Sequence, residues 1–215
     1  MQKLLELVKF EILLHNRSFH LVRSGIYTML TVTVMLFMVL KDHEGNSYNN
    51  LILCLFASVL VVISVPSYLF KNDYVDGNLE FLLCNMSPWK IVLGKYLALL
   101  LSFSVSIFFA HFISYFIMGY SSREFIFLLA VIFFILVQTS LLVSFGNIVQ
   151  AYFKTNTGLI TSIITPLIVP CLILGSIALE TMKIDYLMIL LGIDIILIPL
   201  VLAVSSYLVS NIYNF

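Results

Sequence analysis

The sequence predicts an all-α integral membrane protein, with six transmembrane helices behind an N-terminal interfacial helix. Three observations lead there. Hydrophobic residues make up 61% of the 215 residues and charged residues only 10%, with a mean hydropathy of +1.10, whereas soluble domains average about 45–50% and about 25%. Six apolar runs follow one another, near 24–41, 50–70, 90–118, 124–150, 157–179 and 186–210. A span needs about 20 residues to cross about 30 Å of hydrocarbon. The longest interruption, Lys71 to Lys90, holds three of the eleven acidic residues, Asp73, Asp76 and Glu80.

Residues 2–20 read as an amphipathic helix. Leu4, Leu5, Val8 and Ile12 share one face and Lys3, Glu6, Lys9 and Arg17 the other, while Glu11 falls on the apolar side. Such a helix is expected to lie in the membrane plane ahead of the first span. Its charges leave no uninterrupted apolar region of the signal-peptide type. Of the spans, the first is the shortest, and the third and fourth are long enough to tilt or protrude. The fifth carries Pro166, Pro170 and Gly175, so it reads as kinked, or as broken into a span and a partial re-entrant piece.

In the central interruption, Asp73 is placed to cap a helix start, with Asp76 in the first turn. Leu79, Leu82, Leu83 and Met86 then recur at helical spacing as one apolar stripe. Asp76, Asn78 and Glu80 remain as the polar side, with Asp76 and Glu80 four residues apart on one face. Ser87 suits an N-cap, Pro88 the first helical position and Trp89 the headgroup level, so a new span starts here.

Lys and Arg set the orientation. With the N-terminus inside, the inner side holds Lys3, Lys9, Arg17, Arg23, Lys71, Lys90, Lys95 and Lys154, and the outer side only Lys41, Arg123 and Lys183. The outer loops, near 42–49, 119–123 and 180–185, are short, and six spans return the C-terminus inside. One transmembrane domain is therefore expected over 1–215, with residues 71–88 as its cytoplasmic segment and soluble chemistry left to partners.

Motifs exclude more than they propose. There is no GxxxxGK[ST] loop, no HExxH helix and no GxSxG, so neither a nucleotide site nor an enzyme centre is supported. No basic tract offers nucleic-acid binding. Cys54, Cys84 and Cys171 are scattered without CxxC or CxxCH spacing, which leaves them as buried hydrophobes rather than metal ligands. Two ionisable residues, His111 and Asp194, fall well inside spans at similar depth, where charge is costly and a partner is expected. A His111–Asp194 contact is geometrically allowed. The alternatives for His111 are an axial haem ligand and a neutral histidine bonded to a neighbouring helix. Lys95, one turn inside its span, is expected to reach back to the headgroups, and Gln138, Thr139 and Ser140 to bond between helices.

The segment Phe70–Leu83, with Asp73, Asp76-Gly77 and Leu79-Glu80, resembles the signature of the haem exporter protein B (CcmB) family. That family is the permease subunit of the ATP-binding-cassette (ABC) transporter of cytochrome c maturation. The likeness continues through Ser87-Pro88 and Val92-x-x-Lys95, and through Pro166 to Pro170 and Gly175 to Glu180 in the fifth span. The resemblance implies a type-2 ABC exporter fold with the first helix as an interfacial elbow. It implies that residues 71–88, with Asp73, Asp76, Gly77, Leu79 and Glu80, dock on a separate ATP-binding subunit (CcmA-like). It further implies CcmC-like and CcmD-like membrane partners and a CcmE-like haem chaperone, and a bacterial inner membrane, or a mitochondrial one if organelle-encoded. Haem is then a handled ligand, and no bound cofactor is expected. Other readings are a type-2 permease for a lipid-linked glycan or drug, and a membrane enzyme or scaffold without an ATPase partner.

Overall fold

The structure, a computed structural model, describes residues 2–18, 47–63, 69–154 and 157–213. Eight helices are present among them: α1 Gln2–Ser18, α2 Ser47–Ile63, α3 Leu69–Val75, α4 Asn78–Asn85, α5 Pro88–Met118, α6 Ser122–Phe153, α7 Thr157–Thr181 and α8 Ile184–Ser210. Among the described residues, four helices are long and apolar enough to cross a membrane, spanning Pro88–Phe116, Ser122–Phe153, Ile164–Thr181 and Ile184–Ser210. The expected first span, 24–41, lies outside the described residues. Of the second, 50–70, the 17 residues of α2 cover the part up to Ile63, roughly 26 Å of helical rise, and 64–68 lie outside the described residues. Ser47 to Asn49, expected in an outer loop, already belong to α2.

Local chemistry sets the starts of α5 and α6. Ser87 is the N-cap of α5 in extended conformation, with Pro88 in the first turn, where its missing N–H costs nothing. α6 opens on a capping box: the Ser121 hydroxyl receives the Glu124 N–H while Glu124 reaches back to the Ser121 N–H at 2.9 Å. Between these helices Gly119 closes α5 in the left-handed region at φ 66°.

α6 is the axis of the bundle. Its residues 135–144 are all buried, and α2, α3, α5, α7 and α8 all pack against it. α8 lies at the periphery and buries only Leu190, Asp194, Val201, Ser205 and Val209, one stripe at helical spacing. Its opposite face of Ile195, Ile196 and Leu200 is exposed, as suits hydrocarbon.

Several expectations are corrected. α7 is one continuous helix with Pro166 and Pro170 inside it, not a span plus a re-entrant piece, and both prolines lie on its exposed side. Gly175 explains the close approach on the other side. A Cβ there would stand 3.1 Å from Leu55 Cδ2 and 3.3 Å from Val131 Cγ1, and nearer still to Ile135 Cδ1. Gln138 bonds to another helix as expected, donating to the Leu190 carbonyl at 3.3 Å, and Ser140 pairs with the Tyr96 phenol of α5. Thr139 and Ser140 donate to carbonyls of their own helix, the back-bonding open to mid-helix hydroxyls.

Candidate coupling site

The polar interruption folds as two short helices joined by a left-handed turn. α3 ends at Val75, Gly77 takes φ 75°, and α4 starts at Asn78 with Gly77 at its N-cap position. The positive φ is the reason for glycine here, since a Cβ strains that conformation. Asp73 therefore lies inside α3 and caps nothing, and Asp76 and Glu80 flank the turn instead of sharing one helical face. Both carboxylates are exposed. The apolar stripe of α4 turns inward as expected. Leu79 is fully buried, and Leu82, Leu83 and Met86 are half-buried against the core, so Leu79 anchors the segment and leaves its acidic side free.

Asp73 binds into the membrane bundle. The Lys95 ammonium on α5 sits between two carboxylates, Asp73 of α3 and Glu11 of α1, with Nζ to Glu11 Oε1 at 2.7 Å. It also lies 5.1 Å from the centroid of the buried Phe70 ring. Lys95 is 2% exposed and Glu11 4%, so the lysine does not reach the headgroups, and the acid on the apolar side of α1 has its explanation. Three charges from three elements meet where Lys95 and Glu11 are buried and Asp73 is half-buried, and their mutual attraction offsets the cost of taking them out of water.

That clasp sets the face of α1. Leu7, Val8 and Glu11 are buried and Leu4 half-buried, whereas Leu5 is 65% exposed. The helix packs along the first half of α5, with Leu7 over Gly94. Requiring Glu11 to face Lys95 rotates Leu5 outward. Two more contacts hold α3. Tyr74 stacks on Tyr213, past the end of α8, with centroids 5.4 Å apart, and Lys154 at the end of α6 lies 6.0 Å from the Tyr74 ring. Partial burial and then the nearby Glu80 carboxylate raise the Tyr213 phenol above its ordinary range. The polar segment is thus tied to α1, α5, α6 and the chain after α8. A groove of about 530 Å³ runs between α1 and α4, lined by Glu6, Phe10, Glu11, Asp73, Phe81 and Asn85 among others.

The two intramembrane residues do not meet. Ser58 of α2 gives its hydroxyl proton to the Cys54 carbonyl at 2.8 Å, so His111 Nε2, 2.8 Å from the same oxygen, is the donor in that contact. A hydroxyl has one proton to give. His111 is fully buried and is a histidine bonded to a neighbouring helix. Asp194 stands instead beside Gln138 of α6. Equal depth along two helices left their rotation open, and rotation decides contact. Among the described residues no three His, Cys, Asp or Glu side chains converge as a metal site.

Sequence reasoning missed the clasp. Glu11 and Lys95 were each visible as a charge out of place, but nothing local joins positions so far apart.

The family profile described as CcmB protein matches residues 2–210. An uncharacterized protein of Rickettsia conorii is 30% identical over 214 residues, covering 100% of this chain and 99% of the relative. An uncharacterized protein of Rickettsia prowazekii is 28% identical over 214 residues, with the same coverage.

Proposed function

The chain belongs to the CcmB family, multi-pass membrane permease subunits of cytochrome c maturation, and from that premise we propose that α3 and α4 receive the work of a separate ATP-binding subunit. In this reading the chain hydrolyses nothing itself. The partner docks on the exposed acids Asp76 and Glu80 at the Gly77 turn, with α1 beside them as an elbow. The observation that carries the reading is the Glu11–Lys95–Asp73 clasp. A push on α3 is delivered to α5 through Asp73 and Lys95, and to α1 through Glu11, because separating buried opposite charges is expensive. Load on the turn therefore moves the two helices together.

The positive-inside bias places this end of the bundle in the cytoplasm or matrix, in a bacterial inner membrane or its organellar counterpart, with six spans in all and the first over 24–41. Haem is the substrate of the complex, and the ATP-driven step is export of haem or release of the haem-loaded chaperone, with CcmA-, CcmC-, CcmD- and CcmE-like partners.

The test is charge reversal. Asp76→Lys/Glu80→Lys is expected to lower co-purification of the ATP-binding subunit at least tenfold and to abolish cytochrome c maturation, with membrane insertion unchanged. Glu180→Lys, on an exposed site at the opposite end of α7, is expected to change neither. Normal recruitment and normal maturation in the double variant would overturn the coupling role.

A further inference from the structure

A second site lies at half-depth in the bundle, apart from the coupling end. Asp194 is ten residues into the 27 of α8, and Gln138 is sixteen into the 32 of α6. Both are buried, at 6% and 1% exposure. The Gln138 amide of α6 stands beside the carboxyl group, and the Tyr96 phenol of α5 and the Cys171 thiol of α7 lie near enough to feel its charge. Neither of those two is cationic, and among the described residues no lysine, arginine or histidine pairs with Asp194.

The hydrogen bonds around this pair do not close. One Gln138 N–H goes to the Leu190 carbonyl, and the Tyr96 hydroxyl points to the Val137 carbonyl at 3.4 Å. Asp194 Oδ1 and Gln138 Oε1 are both buried without a partner. With the acid ionised, both orphans are acceptors on neighbouring buried side chains. Each such group costs some kcal/mol, and a lone carboxylate in a span costs more. A single proton removes the fault. A carboxylic acid and a primary amide are complementary: amide N–H to carboxyl C=O, and carboxyl O–H to amide C=O.

We propose that Asp194 is a proton-binding site of the membrane bundle, holding a proton at neutral pH that it donates to the Gln138 amide oxygen. The proton comes from water and returns to it, and no bond other than O–H is made or broken. When the proton leaves, the ionised carboxylate needs a new donor. The pair that ties the peripheral α8 to the central α6 then opens and admits water, so proton release loosens α8. The site stands whether or not α3 and α4 dock an ATPase.

Infrared difference spectroscopy of the purified protein in lipid nanodiscs tests this. The expected result is a protonated-carboxyl C=O band at neutral pH that shifts in D₂O, vanishes in Asp194→Asn and moves to higher frequency in Gln138→Leu, where the amide partner is gone. Asp194→Asn keeps a closed amide–amide pair, so between about pH 7 and 9, below the tyrosine range, its unfolding temperature should stay level while that of the parent falls. If Asp194→Asn does not fold, the parent band and its Gln138→Leu shift still decide. Absence of any such band from mildly acid to mildly alkaline pH would overturn the proposal. So would a band that disappears on adding sodium at fixed pH, which would make the site one for a metal cation.

Discussion

Lys95 Nζ lies 2.7 Å from Glu11 Oε1, joining residues 84 positions apart, with Asp73 on the other side of the ammonium. Removing the lysine alone takes a cation away from a buried carboxylate, Glu11, and a half-buried one, Asp73. Lys95→Met should therefore destabilise the protein by about 3–5 kcal/mol, as breaking a buried pair does. The triple variant Lys95→Met/Glu11→Gln/Asp73→Asn removes all three charges and should recover most of that loss. Thermal unfolding in detergent measures both. Equal losses in the single and triple variants would mean that Lys95 acts by bulk and not by charge.

Much of this architecture could be read locally, and the clasp could not. The start of α5 was legible because Ser87, Pro88 and Trp89 write a helix start within three residues. The inward face of α4 was legible because Leu79, Leu82, Leu83 and Met86 repeat at helical spacing. Asp73 was misread as a cap because an acid before an apolar run fits that rule, whereas α3 runs through it and its partner is a lysine 22 positions on. The prolines of α7 suggested a kinked or a broken span, and its helix is continuous. In membranes neighbouring helices and local adjustment satisfy the groups that a proline frees. His111 and Asp194 were rightly singled out as buried, but their depth says nothing of helix rotation, and each found a neutral partner instead.

Orientation can be checked with two positions the structure exposes, Asn72 on α3 and Lys183 between α7 and α8. In a background lacking Cys54, Cys84 and Cys171, a cysteine at Lys183 should react with a membrane-impermeant thiol reagent in intact cells. One at Asn72 should react only after permeabilisation. Equal labelling would overturn the orientation taken from Lys and Arg.

Tyr120 follows Gly119 between α5 and α6. It is 7% exposed, and its hydroxyl lies 3.6 Å from Cys54 Sγ on α2. Burial, and then the Cys54 neighbour, push its phenol far above the ordinary tyrosine range. The sign follows from linkage. The unfolded chain ionises near pH 10 and the folded one does not, so this residue's stability contribution is whole below about pH 10 and is lost as pH rises further. Tyr120→Phe should therefore flatten the alkaline fall in unfolding temperature. Tyrosinate absorbance should show one fewer late-ionising phenol in the variant. An unchanged alkaline profile would show that Tyr120 is solvated in the protein.

At Gly175 α7 comes close to α2 and α6. An added Cβ would press on Ile135 Cδ1 first, and then on Leu55 and Val131. Gly192 in α8 has open space at the same position. The two glycines should therefore answer the same substitution with opposite signs. Gly175→Ala overpacks a close helix contact and should cost about 1–3 kcal/mol. Gly192→Ala gains helix propensity and should add roughly 0.5–1 kcal/mol. The cause at Gly175 can be isolated, because Ile135→Val deletes the methyl that the new Cβ would strike. That change alone should cost about 0.5–1.5 kcal/mol, yet combined with Gly175→Ala it should return part of the loss, a coupling between contacting residues that additive sites lack. Unfolding of the four variants in one detergent supplies the cycle. Strict additivity would mean that α7 moves away as a whole instead of meeting Ile135, and the close approach at Gly175 would then carry no packing energy.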